Sequence, residues 1–152
     1  MPDIIAERIF KTPSDAAYFF DYFNMSQVST DGKRILALRC ERFDRVPDGV
    51  DIAEVGWFKI SASRPVFHKI GETVAYNWQQ GAMLQFLGPD FASRVIWNTF
   101  DGSDYVAEIF ELETGTRRRV PAIYNAFPHG CSATTSDFPA TRGAAADIAM
   151  AT

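Results

Sequence analysis

Short apolar runs with polar positions interleaved follow one another along most of the chain, each closed by a turn containing Gly, Pro or Asp. Spacing with a period of two predicts strands rather than helices. Lys33 to Glu41 alternates and is apolar in its middle; Ile52 to Ile60 and Val66 to Ile70 follow as second and third strands, divided by Ser61-Ala62-Ser63-Arg64-Pro65. A second group opens at Thr73 to Gln80 and Ala82 to Leu87 and turns at Gly88-Pro89-Asp90. It continues through Arg94 to Phe100, the corner Asp101-Gly102, Tyr105 to Leu112, the turn Glu113-Thr114-Gly115, and Thr116 to Val120. Strands joined by turns this short form antiparallel meanders. Upstream, Ile4 to Phe10 fits a short strand or a helical turn, and the aromatic run Tyr18 to Phe23 fits a buried strand or a wedge against a neighbouring sheet. The expected fold is all-β.

One phrase returns in degraded form. Thr30-Asp31-Gly32-Lys33, leading into Ile35-Leu36-Ala37-Leu38, has a counterpart in Pro128-His129-Gly130-Cys131. A corner of this kind before a short apolar run hands one antiparallel strand to the next, and its return points to repeated small sheets that cannot bury their own faces alone. From Pro121 a third unit begins and then fails. After Phe138 the chain is Ala-rich without period-2 patterning, so 139–152 is expected to be a disordered tail, with one helical turn around Ala144 to Met150.

The 152 residues are 47% hydrophobic, enough for one domain with a real core, and 14% aromatic, which favours pleated, half-buried surfaces. A net charge of −4 provides no global basic field, so neither nucleic acid nor an anionic membrane surface is an expected partner. No secretory signal is visible, and no stretch approaches the roughly 18 apolar residues of a membrane span. A soluble, cytoplasmic protein is expected. Cys40 and Cys131 lie in different units without metal-type spacing and read as free, buried thiols.

The phrase Val28-Ser29-Thr30-Asp31-Gly32-Lys33-Arg34-Ile35-Leu36 resembles the Ser-Pro-Asp-Gly-Lys corner of TolB-like and WD-repeat β-propellers, with Thr30 where those repeats usually carry Pro. The segment Ile109 to Arg118 is similar to their third-strand ending, an apolar strand closing in Leu-x-Thr-Gly. Ile123 to Gly130 resembles the opening of a further blade, with Phe127-Pro128-His129-Gly130 in the Ser-Pro-Asp-Gly place. The resemblance covers about residues 18 to 138 and implies a partial propeller domain over 1–138. Its approximate blades are 18–72 and 73–120, with the start of a third over 121–138. Propellers close with about four to eight blades, so an arc of about two and a fraction leaves apolar faces uncovered. A fragment of a longer protein, a degenerate product whose residues after Phe138 are foreign to the fold, and self-association through the open edges each answer that problem.

For chemistry, the best candidate is Asn77, Trp78, Gln79 and Gln80, a turn whose ring could stack on sugar C–H groups while its amides bond hydroxyls. A packing role for Trp78 is the competing reading. His68 and His129 lack metal spacing, His68 on an exposed strand position and His129 replacing the turn Asp. Asp44, Asp48 and Asp51 lack the order of a calcium loop and read as solvated charges. In Arg117-Arg118-Arg119, alternation sends Arg117 and Arg119 to one face, a charge pattern that guards an edge strand. No nucleophile elbow, phosphate loop or dinucleotide fingerprint is present, and neither a catalytic residue, a metal nor a cofactor is assigned. The expected function is a noncatalytic binding module for a small saccharide or a protein partner. The alternative is part of a carbohydrate-active enzyme resembling oligogalacturonate-type polysaccharide lyases, although no residue matches that family's metal-binding histidines.

Overall fold

The computed structural model describes residues 8–135 and the backbone of 144–147; the remainder of the expected tail over 139–152 lies outside the described residues. The first sheet has the order β1-β2-β3-β4, from Ala17–Phe19, Arg34–Cys40, Ala53–Lys59 and His68–Thr73. The second repeats that order as β5-β6-β7-β8, from Gln85–Leu87, Arg94–Phe100, Tyr105–Glu111 and Arg117–Pro121. A third holds β9 (Asn125–Ala126), β10 (Ser132–Thr135) and β11 (Ala144–Asp147), in the order β11-β10-β9. All pairings are antiparallel, and the described residues form no helix. The fold is all-β and not closed into a barrel, consistent with two blades and part of a third in an incomplete propeller arc. Ala144–Asp147 pairs with Ser132–Thr135 as a strand, in place of the helical turn expected there.

The second sheet starts later than expected. Thr73 to Gln80 does not open the second sheet; after Thr73 the chain turns, and the new sheet starts at Gln85. Asn77 causes the turn: its Oδ1 accepts the N–H groups of Gln79 (2.9 Å) and Gln80 (2.7 Å), and its backbone exchanges two hydrogen bonds with Gly81. Left-handed backbone at Gly81 (φ 60°) and Met83 (φ 58°) delays extension further. The aromatic run opens the first sheet through Tyr18 and Phe19 and then leaves it, sending Asp21 and Tyr22 toward the second.

Sheets pack face to face through two cores. Phe86, Val95 and Trp97 of the second sheet meet Leu36, Leu38, Ala53, Val55 and Ile70 of the first. The opposite face of the second sheet presents Leu87, Ile96, Ala107 and Ile109 to Ile123 and Ala133. Alternation along β6 therefore buries both parities, which is what a middle sheet requires. Arg117 ties the outer strands together: its guanidinium donates to Ile70 O, pairs with Glu108 at 3.0 Å and lies 4.7 Å from the Phe110 ring centre. Arg119 reaches the same Glu108 at 3.4 Å, so the expected common face holds, and Arg117 joins two sheets as well as lying on an edge strand.

The far face of the first sheet is not bare, contrary to the expectation of uncovered apolar blade faces. Phe58 there is ringed by Phe10 (5.3 Å), Tyr18 (5.1 Å) and Phe67 (5.3 Å). Glu54 beside them receives Arg39 at 2.6 Å and Lys69 at 2.9 Å. Gly56 permits this cover, since a Cβ there would stand 2.5 Å from the Phe67 ring.

The junction between the first two sheets is fixed by polar groups around the inner strands. Asp21, 8% exposed, accepts the N–H of Ala82 at 2.9 Å and that of Leu84. Gly81 is required beside it because a Cβ would overlap the Asp21 carboxylate. Ser26 O accepts Phe86 N–H at 3.0 Å, Gln27 Nε2 donates to Leu84 O at 3.1 Å, and Gln27 O accepts Leu36 N–H at 2.8 Å. A single extended stretch thus bonds β2 on one side and β5 on the other.

The recurring corner has a third copy that the sequence disguises. Asp31 Oδ1 accepts Lys33 N–H (3.0 Å), Asp90 Oδ1 accepts Ala92 N–H (3.2 Å), and His129 Nδ1 accepts Cys131 N–H (3.1 Å). The next residue is left-handed each time: Gly32 (φ 68°), Phe91 (φ 50°) and Gly130 (φ 71°). Phe in the Gly place hides the middle copy. Successive corners touch, with Thr30 N–H and Oγ1 bonding Phe91 O (3.1 Å) and Asp90 O (2.5 Å), and Gly88 and Gly130 in backbone contact.

Two measurements check this account. Gly32 and Gly130 share a left-handed backbone, but only Gly130 faces a neighbour that a Cβ would strike, the Gly88 carbonyl. Gly32→Ala should cost about 1 kcal/mol for backbone strain and Gly130→Ala at least ~2 kcal/mol in urea unfolding; equal costs would refute contact between the corners. Burial pushes the Asp21 carboxyl up to about 7 despite its two N–H bonds. The folded chain then holds a proton that the unfolded chain releases, so this contribution is full below about pH 4 and declines until about pH 7, by up to ~4 kcal/mol. Asp21→Asn should remove that decline from the pH profile of stability, leaving the acid-side loss from carboxylates such as Asp31 and Asp90, whose pKa values are lowered. An unchanged slope between pH 4 and 7 in the variant would overturn the assignment.

Candidate functional site

The up-and-down order of each sheet places the connections 41–52, 74–84, 101–104 and 122–124 at one end of the molecule. A cleft of about 280 Å³ opens there between the first two sheets. Tyr76, Asn77 and Gln80 form one wall, Gly81 to Met83 another, and Asn98, Tyr105 and Ile123 the third. Its lining contains no Asp, Glu, Lys, Arg or His.

Several of these side chains have a definite local role. Asn98 bonds the Ile123 backbone twice: Nδ2 donates to Ile123 O at 2.7 Å and Oδ1 accepts Ile123 N–H at 2.9 Å, pinning the entry to the third sheet. Its backbone N–H donates to Ala82 O at 2.7 Å, which fixes the opposite wall. Met83 is left-handed and 8% exposed; the bonds from Asp21 to Ala82 and Leu84 hold it on both sides. Asn77 spends Oδ1 on its own turn. Among the described residues, nothing within the chain bonds Asn77 Nδ2 or the Gln80 side-chain amide. Burial raises the Tyr76 phenol above its ordinary pKa.

The four residues singled out from sequence divide. Asn77 and Gln80 line the cleft, whereas Trp78 and Gln79 do not. Trp78 is a half-buried prop: its ring meets Phe19 at 5.2 Å and Tyr76 at 5.7 Å, and Nε1 donates to Arg45 O at 2.8 Å. That bond anchors the 41–52 connection, where Arg45 also pairs with Asp48 (3.0 Å) and Asp51 (2.8 Å). These two aspartates are thus organised around an arginine rather than merely solvated. Sequence reading passed over Met83, Asn98, Tyr105 and Ile123 because they approach one another only through sheet packing.

Other chemistry is dispersed. His68 stacks on Trp57 at 4.2 Å, and His129 is used in its corner. Among the described residues, no group of three or more His, Cys, Asp or Glu is placed to hold a metal ion. Cys40 is buried and Cys131 exposed, and both are unpaired, so the expected burial holds for the first alone. A neighbouring hollow of about 370 Å³ shares Tyr76 with the cleft, but Arg39 and Glu54 in its wall pair with each other. No helix among the described residues is long and apolar enough to cross a membrane.

If Trp78 is a prop, Trp78→Phe should keep the ring contacts and cost about 1 kcal/mol for the lost hydrogen bond. Trp78→Ala should cost roughly 3 kcal/mol and loosen the 41–52 connection. Urea unfolding and amide exchange over 41–52 check this; an alanine variant as stable as wild type would remove the structural role.

Compared with known proteins, the chain matches no family model, no curated protein and no solved structure.

Proposed function

We propose that the chain is a noncatalytic binding module of the TolB-like or WD-repeat propeller type, and that the cleft between its first two sheets takes a small saccharide. One observation carries this reading: two tyrosines share the cleft with unspent amides, Asn77 Nδ2 and Gln80. An aromatic ring covers the apolar face of a sugar while amides bond its hydroxyls, and a hollow near 300 Å³ lies at the small end of the range for ligand sites. The occupant is therefore one or two sugar rings. A cytoplasmic setting belongs to the same reading and is supported by Cys131, an exposed thiol of the kind that reducing compartments keep free.

A protein partner is the second reading, favoured by apolar side chains around the same end. Phe43, Val46 and Val50 are 69%, 76% and 75% exposed on the 41–52 connection, and Tyr105 and Tyr124 are about half exposed nearby. Exposed apolar groups gathered at one end mark interaction surfaces.

Titration with neutral mono- to tetrasaccharides, followed by Trp fluorescence and calorimetry, separates the two. Saccharide binding that weakens at least ~10-fold in Tyr76→Ala or Gln80→Ala, with wild-type stability in Gln80→Ala, is the expected result. Binding unaffected by either substitution removes the cleft as the site.

A further inference from the structure

We propose that the cleft selects against charge: its ligand is an uncharged saccharide, and the carboxylate of a uronate excludes it. This rests on the saccharide reading above and narrows it to a chemical class. Entry into a cleft removes water from a ligand's polar groups, and a carboxylate stripped of water needs a cation or several aimed N–H groups in return. The lining supplies no cation. Arg45, on the adjoining connection, is held by Asp48 and Asp51. Arg39, in the adjoining hollow, is held by Glu54.

The surrounding field has the opposite sign. The 41–52 connection carries Glu41, Asp44, Asp48 and Asp51 against Arg42 and Arg45, and the whole chain has a net charge of −4. The unspent amides, Asn77 Nδ2 and Gln80, bond hydroxyls without requiring charge on either side. A neutral sugar therefore meets its partners, while an anionic sugar leaves a bare carboxylate in a lining without a cation, beside a connection of net negative charge.

The decisive comparison uses one sugar skeleton in two charge states: trigalacturonate and its fully methyl-esterified form, titrated into the wild-type chain by calorimetry at low and moderate salt. The ester, and neutral gluco-oligosaccharides beside it, should bind at least ~100-fold more tightly than the free acid. Gln80→Arg should reverse the preference by giving the carboxylate a guanidinium in the wall. Free acid binding as well as ester overturns charge selection while leaving saccharide binding intact. Failure of every neutral and acidic sugar overturns this inference together with the saccharide reading.

Discussion

A buried carboxylate, Asp21, controls how the first two sheets meet. Each sheet alone has an apolar face with no cover, so the fold depends on stacking one against the next. Apolar contact is non-directional and would tolerate sliding. The bonds from Asp21 to Ala82 and Leu84 are directional, and the space left by Gly81 admits the carboxylate at one place. Ser26 O accepts a main-chain N–H of β5, and the Gln27 amide donates to Leu84 just before it, so register is set where the strand is short and its own ladder weak.

The three corners repeat that logic at the opposite end of the sheets. Each side chain closes its own turn, and each turn then presents backbone to the following one. His129 serves because a neutral imidazole nitrogen accepts an N–H as a carboxylate oxygen does. Phe91 serves because packing against the first core offsets the strain of its left-handed backbone. A repeat can therefore lose its sequence signature while keeping its hydrogen bond.

What was legible in the sequence follows from how local each cause is. Apolar patterning over Lys33 to Glu41 and Ile52 to Ile60, and the turns that bracket Arg94 to Phe100, located β2, β3 and β6 within a residue or two, because strand patterning and turn chemistry are written locally. The start of the second sheet was misplaced because Gly81 to Leu87 is buried throughout, and a uniformly buried run carries no parity. Asp21 gave no warning at all: a lone carboxylate among aromatics reads as a surface break until Ala82 and Leu84 arrive from across the junction. Asn77 and Gln80 were visible as amides on a turn, but Asn98, Tyr105 and Ile123 join them through packing alone.

The cleft and the junction share the same backbone, which ties binding to stability. Gly81 and Ala82 form wall on one side and contact the Asp21 carboxylate on the other, and Asn98 fixes Ala82 and Ile123 at once. A ligand there touches residues whose positions are already determined by sheet packing, so little ordering cost remains for it to meet. The first sheet's far face supports this rigidity from behind: Phe10, Phe67 and the Arg39–Glu54–Lys69 cluster cover it with aromatic and charged groups. That cover lets the first sheet present its other face to the second without competing for a partner, and the cleft between them inherits a fixed width.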